Sequence, residues 1–345
     1  MLFITNRAFK EGLTPEQTKN SPNLLPRTVN FDLKNNGFHS SIYFCDRHGK
    51  DSYSEIGHAA FLKKLAEDPA EHILFYIHGF SSLPEAPIFE QTQELQNHLN
   101  TLAPTGSIKV VPLIWPCDDD FGIIKDYFDD QISADGSGFA FARGFKWLTD
   151  NPISKDSSGK GFSLMAHSMG SKVLQSILEK SAKHFYKRGF PSLFQNIFLV
   201  APDLENEVLE TGHRDMWIPL VTRNVVVYYA VDDWALFGSI VANASKAGIS
   251  KRLGQSGPAD MIRTPSNVFA LDCNSFNNSY DHPVGHNYFT STNGEESESP
   301  GEKLEPGLVV KHMHRTLQKG EVAIFPGKRH CVLDDALVSE KVPRS

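Results

Sequence analysis

The segment 162–174 reads Phe-Ser-Leu-Met-Ala-His-Ser-Met-Gly-Ser-Lys-Val-Leu, and it constrains this chain more than any other stretch. A short apolar run ends in Ala166-His167-Ser168-Met169-Gly170, and a helical pattern starts at once. Strand, sharp turn and helix in that order make a nucleophile elbow with Ser168 at its tip. Such a turn strains the serine backbone and lifts its hydroxyl above the sheet. Small residues two before and two after it, here Ala166 and Gly170, let strand and helix approach closely. Alanine at the first of these places departs mildly from the commoner glycine. Serine and glycine also make ordinary helix N-caps, so the pentapeptide needs support from the rest of the chain.

That support begins with the order of elements. Apolar, β-branched runs occur at Leu2–Thr5, Ser41–Phe44, Ile73–Ile77, Lys109–Ile114, Gly161–Ala166, Asn196–Val200, Asn224–Val231 and Val268–Asp272. Several are continuous rather than alternating, which marks strands buried on both faces of a parallel sheet. Helical patterns fall between them at Glu55–Glu67, Ile88–Leu102, Phe139–Thr149, Ser171–Lys187, Asp215–Thr222 and Trp234–Ala247. The alternation predicts an α/β chain: a mostly parallel, doubly wound sheet with helices on both faces. Residues 10–37 read as a surface excursion, and 115–138 as an irregular insertion beside the cleft. Residues 291–306 read as a low-complexity linker, so the chain divides into a domain over 1–290 and a C-terminal helix and tail over 307–345. Cutting after residue 292 is expected to spare the chemistry.

The totals exclude whole classes. A net charge of −7 without a Lys/Arg-rich run disfavours nucleic-acid binding. No stretch approaches the ~20 apolar residues that span a bilayer. The start, Met1-Leu2-Phe3-Ile4-Thr5-Asn6-Arg7, reads as a first strand rather than a secretory signal. Cys45, Cys117, Cys273 and Cys331 are far apart and read as free thiols, which suits the cytoplasm. No phosphate loop or dinucleotide fingerprint is present, and no cofactor is expected. His312-x-His314 lacks a partner at metal-ligand spacing, and reads as a solvated helix face.

A serine hydroxyl needs a base, a carboxylate behind the base, and donors for the oxyanion. On a doubly wound sheet with an elbow, these follow the chain order oxyanion loop, serine, acid, histidine. Ile73–Ile77 runs into His78-Gly79-Phe80-Ser81-Ser82, so Gly79 and the backbone N–H of Phe80 are candidates, with that of Met169. For the acid, Asp233 after Asn224–Val231 leads, with Asp232 and Asp203 as alternatives. Adjacent strand-end residues point to opposite sides, so one of Asp232 and Asp233 can face the histidine. For the base, His286 in Pro283-Val284-Gly285-His286-Asn287-Tyr288-Phe289 leads, with His282 as the alternative.

With these residues in hand, the chain resembles a family of bacterial α/β-hydrolases of unknown function, often described as esterase- or lipase-like. The resemblance rests on Thr5-Asn6-Arg7, His78-Gly79-Phe80, His167-Ser168-Met169-Gly170, Ala201-Pro202-Asp203, Asp233-x-Ala235-Leu236 and Gly285-His286-x-Tyr288-Phe289. It spans roughly residues 1–290 and implies Ser168, Asp233 and His286 as a triad. The expected activity is hydrolysis of a small-molecule carboxylic ester by acyl transfer. The same machinery serves an amide or a thioester, and a silent fold acting as a binding module is the alternative from another class. Trp115, Phe121, Ile123, Ile124, Tyr127 and Phe128 are expected to line a substrate pocket.

Overall fold

The computed structural model describes residues 1–11, 25–35, 37–38, 40–103, 106–117, 123–150, 159–236, 251–289 and 305–339, with backbone alone for 123–129. Eleven strands form one sheet among these residues, in the order β11-β10-β9-β8-β7-β5-β6-β1-β3-β4-β2. In chain order they are β1 (Leu2–Thr5), β2 (Arg27–Val29), β3 (Tyr43–Gly49), β4 (Ser52–Glu55), β5 (His72–Ile77), β6 (Ile108–Ile114), β7 (Gly161–His167), β8 (Phe194–Val200), β9 (Thr222–Tyr229), β10 (Val268–Asp272) and β11 (His330–Val332). The pairings from β11 across to β1 are parallel. β3, β4 and β2 continue the sheet antiparallel at its other edge. The doubly wound arrangement read from the sequence is therefore present, with β2, β4 and β11 as short strands that the pattern did not reveal.

The continuous apolar runs are buried on both faces. In β5, Ile73, Phe75 and Ile77 enter one core cluster while Leu74 and Tyr76 enter the other. In β9, Val225, Val227 and Tyr229 face the first cluster, Val226 and Tyr228 the second. Successive side chains point to opposite faces, so a strand covered on both sides has no polar positions to show. The first face is covered by helices Gly57–Glu67, Ile123–Asp150 and Gly170–His184. Helices Ile88–Leu102 and Leu308–Lys319 cover the second.

Two regions depart from the sequence reading. The first is 115–138, expected to be irregular. Residues 118–122 lie outside the described residues, but the backbone is helical from Ile123 to Asp150. Within this helix Gly138 is a packing residue. A Cβ there would lie 2.1 Å from Ser176 Oγ and 2.8 Å from the Ser176 carbonyl carbon, where two helices cross. Phe121 and the side chains of Ile123, Ile124, Tyr127 and Phe128 lie outside the described residues. Trp115 is fully buried and stacks on His78.

The second is the C-terminal part. Residues 291–304 of the expected linker, and much of the Trp234–Ala247 pattern, lie outside the described residues. Beyond them the chain rejoins the sheet. β11 pairs parallel with β10, and Leu333 N donates to Asp272 O at 2.8 Å. Val309, Val310, Met313 and Leu317 share a core cluster with Tyr76, Tyr228, Tyr288 and Phe289. His312 is buried rather than solvated. Its Nδ1 accepts from Tyr228 Oη at 2.7 Å and its Nε2 donates to Ala323 O at 2.7 Å. Burial pushes the imidazole down to about 4, which keeps it neutral. Residues 305–339 thus complete the core of 1–290 rather than hang from it. Among the described residues, no helix is long and apolar enough to cross a membrane.

Candidate active site

The strand order places the site. From β5 the chain adds β6 on one side, then returns to add β7 on the other. The helices after β5 and β7 go to opposite faces, so a crevice opens at the carboxyl ends of these strands. Gly79 follows β5 and Ser168 follows β7.

Ser168 has φ +52° and is 3% exposed. Its N–H donates to Val200 O at 3.0 Å, and its carbonyl accepts from Ser171 N at 3.0 Å, Ser171 Oγ at 2.6 Å and Asp203 N at 3.2 Å. Gly170 allows the turn: a Cβ there would lie 2.5 Å from His78 O and 2.6 Å from Ile77 O. Ser81 (φ +53°) and Ala201 (φ +47°) hold the same rare conformation after the neighbouring strands β5 and β8. Each such residue costs about 1–3 kcal/mol, which the surrounding packing must hold in place. The strain therefore concentrates at the ends of three adjacent strands.

The loop after β5 lies directly against the serine. A Cβ on Gly79 would lie 3.2 Å from Ser168 Cβ and 3.2 Å from His167 Nδ1. His78 fixes this loop. Its Nε2 accepts from Trp115 N at 3.2 Å, so its Nδ1 carries the proton and donates to Gly79 O at 2.8 Å. The ring stacks on Trp115 at 5.2 Å, and burial pushes it down to about 3. Ser81 N donates to Asp130 Oδ2 at 3.3 Å, which ties the loop to helix Ile123–Asp150.

His286 and Asp233 meet as a buried pair, with Nδ1 donating to Oδ2 at 2.7 Å. Burial, the largest single influence, pulls His286 down, but the carboxylates around it, Asp233 foremost with Asp281 and Asp203, together raise the imidazole above its ordinary value. Burial raises Asp233 too, against the opposing pull of His286. His286 Nε2 is buried with no hydrogen-bond partner, so no bond from Ser168 Oγ reaches it in this conformation. The two sides are nonetheless neighbours: the His167 ring lies 4.7 Å from that of His286, and His167 Nε2 donates to His286 O at 3.3 Å. His167 is itself held neutral by burial.

The alternative residues make other contacts. Asp232 is exposed, and it accepts from Asn277 Nδ2 at 2.9 Å and from Asn278 Nδ2. It braces the base loop from outside. Asp203 is buried against Lys172 Nζ at 3.0 Å and Arg252 Nε at 3.3 Å. His282 is exposed. Three supporting residues escaped the sequence reading. Asp281 Oδ1 accepts from His286 N at 2.7 Å, which orders the base loop. Lys172 and Arg252 hold Asp203. Only Asp281 left a local signal, a carboxylate just before a Pro-x-Gly-His turn.

Comparison with known proteins agrees with this architecture. A family model described as an alpha/beta hydrolase of unknown function (DUF900) matches residues 55–295, well over half of the chain. No curated protein sequence matches. Among solved structures, phospholipase PlaB from Legionella pneumophila is similar at 15% identity and a TM-score of 0.29, over 51% of this chain and 43% of that one. Its complex with thio-NAD gives 15% and 0.29 over 54% and 44%. This chain therefore spans less than half the length of either structure, and so faint a likeness carries nothing about substrate.

Proposed function

The chain belongs to the α/β-hydrolase family of unknown function (DUF900), and from that premise we propose that it is a serine hydrolase acting on a small-molecule carboxylic ester. Ser168 Oγ attacks the ester carbonyl carbon while its proton passes to His286 Nε2. The carbonyl π electrons move to oxygen, and the oxyanion accepts from the backbone N–H groups of Phe80 and Met169. Asp233 holds the Nδ1–H tautomer and supports the imidazolium. Collapse breaks the C–O bond, and the alcohol leaves with the proton from Nε2. Water then repeats the sequence on the acyl-serine, which releases the acid and restores Ser168.

One observation carries this reading: the buried 2.7 Å His286–Asp233 pair, its Nε2 without a hydrogen-bond partner, packs against His167 of the strained turn that carries Ser168. An amide or thioester would use the same groups. None of the four cysteines is disulfide-bonded, which fits a reducing compartment such as the cytoplasm. The test is Ser168→Ala in an ester-hydrolysis assay. Turnover should fall by roughly 10⁴–10⁶ with unfolding temperature unchanged. A variant that keeps more than a few per cent of turnover removes Ser168 from the role.

A further inference from the structure

The turn that carries Ser168 and the loop that carries Asp233 lie at the ends of β7 and β9, with β8 between them. A short helix, Leu253–Ser256, is wedged against the ends of β8 and β9. Gly254 N donates to Pro202 O at 2.9 Å, just after β8, while Gly254 O accepts from Ala230 N at 2.9 Å, just after β9. Leu253 N donates to Leu204 O at 2.8 Å. The fit leaves no room for a side chain: a Cβ on Gly254 would lie 2.5 Å from the Ala201 carbonyl carbon and 2.7 Å from Pro202 N.

Two side chains of the same segment extend this contact toward the site. Arg252 Nε lies 3.3 Å from the buried carboxylate of Asp203. Asp203 in turn gives its N–H to the Ser168 carbonyl at 3.2 Å and binds Lys172, from the first turn of the helix after the serine, at 3.0 Å. On the other side, Gln255 Nε2 donates to the Asp233 carbonyl at 2.9 Å. The chain of contacts runs unbroken from the Ser168 carbonyl to the Asp233 backbone.

We propose that the segment Arg252–Gln255 is a positioning element, which locks the turn bearing Ser168 to the loop bearing Asp233 through Asp203 on one side and Gln255 on the other. The proposal rests on Ser168, Asp233 and His286 being the reacting groups. Arg252 and Gln255 touch no reacting atom; they act by fixing backbone. Losing the Gln255 bond frees the Asp233 carbonyl, lengthens the Asp233–His286 contact and weakens the carboxylate support of the imidazole. His286 then titrates lower, and the serine is activated less well.

The test is the rate of labelling by a fluorophosphonate probe, followed across pH for the wild type and Gln255→Ala. Gln255 is half-buried, and an unchanged unfolding temperature establishes that the variant folds. The plateau rate should fall roughly three- to tenfold, the worth of one neutral hydrogen bond. Its midpoint should also move to lower pH. An unchanged profile overturns the proposal. So does a lower plateau with an unmoved midpoint, because general loosening of the fold gives that result. A wild type that is not labelled at all is a different failure, since it removes the assignment of Ser168 itself.

Discussion

Asp203 and Asp233 invite comparison because they differ so little in placement. Each is buried, and each follows one of two adjacent parallel strands, β8 and β9. Desolvating a carboxylate costs several kcal/mol, so each needs compensation. Asp203 has Lys172 and Arg252, two cations for one anion. Asp233 has an imidazole, which is charged only when protonated. The compensation at Asp233 is incomplete, and burial raises its proton affinity. A carboxylate in that state stabilises most strongly the moment when its partner gains a proton, which is what a base in acyl transfer does. On the proposed assignment of Asp233, burial alone does not identify a catalytic acid. What separates the two is whether the partner's charge is permanent.

The comparison breaks most visibly in rate. Asp233→Asn should lower kcat by about 10⁴, because His286 loses its tautomer control and its counter-charge. Unfolding temperature should change little. Asp203→Asn, which leaves the buried Arg252 and the half-buried Lys172 without the carboxylate beside them, should do the reverse. It should cost about 3–5 kcal/mol of stability in denaturant titration, and kcat only roughly 10- to 100-fold through misplacement of Ser168. If Asp203→Asn suffers the larger loss of rate, the catalytic acid belongs to β8.

A smaller effect sharpens the comparison through pH. His286 must be neutral to accept a proton. Its proton affinity is raised, so kcat/KM should rise with pH through a midpoint above the ordinary histidine value of about 6.5. Removing the carboxylate in Asp233→Asn leaves burial, the largest single influence, opposed only by the smaller pulls of Asp281 and Asp203, and the midpoint of the residual activity should move downward. Asp203 contributes to the same shift only as the last and weakest influence. Asp203→Asn should therefore move the midpoint downward by much less. Equal shifts in the two variants would erase the distinction.

How much of this was legible follows from the range of each interaction. β5, β7, β9 and β10 were readable because burial on both faces leaves an unbroken apolar run. The elbow was readable because its requirements, small residues around Ser168 between strand and helix, are local. Chain order favoured Asp233 over Asp203 as the candidate acid, whereas strand alternation said only that one of Asp232 and Asp233 would face the histidine. The brace was not readable. Arg252 and Asp203 meet only through the fold, and nothing near Gln255 marks it as a partner of the Asp233 carbonyl. The packing role of Gly138 was not readable for the same reason: it permits a close helix crossing against Ser176, which lies far along the chain. His312 looked solvated because the hydroxyl that buries it, on Tyr228, comes from a distant strand. β11 pairs on one side only, with half its surface exposed, and so leaves almost no pattern.

The central claim is that Ser168 is a nucleophile activated by the His286–Asp233 pair. Mass spectrometry after incubation with a fluorophosphonate probe tests it most directly. The account predicts one adduct on the folded protein, on the peptide carrying Ser168. The adduct should be absent from Ser168→Ala and strongly slowed in His286→Gln. An unlabelled wild type, or an adduct that persists after Ser168→Ala, would contradict it.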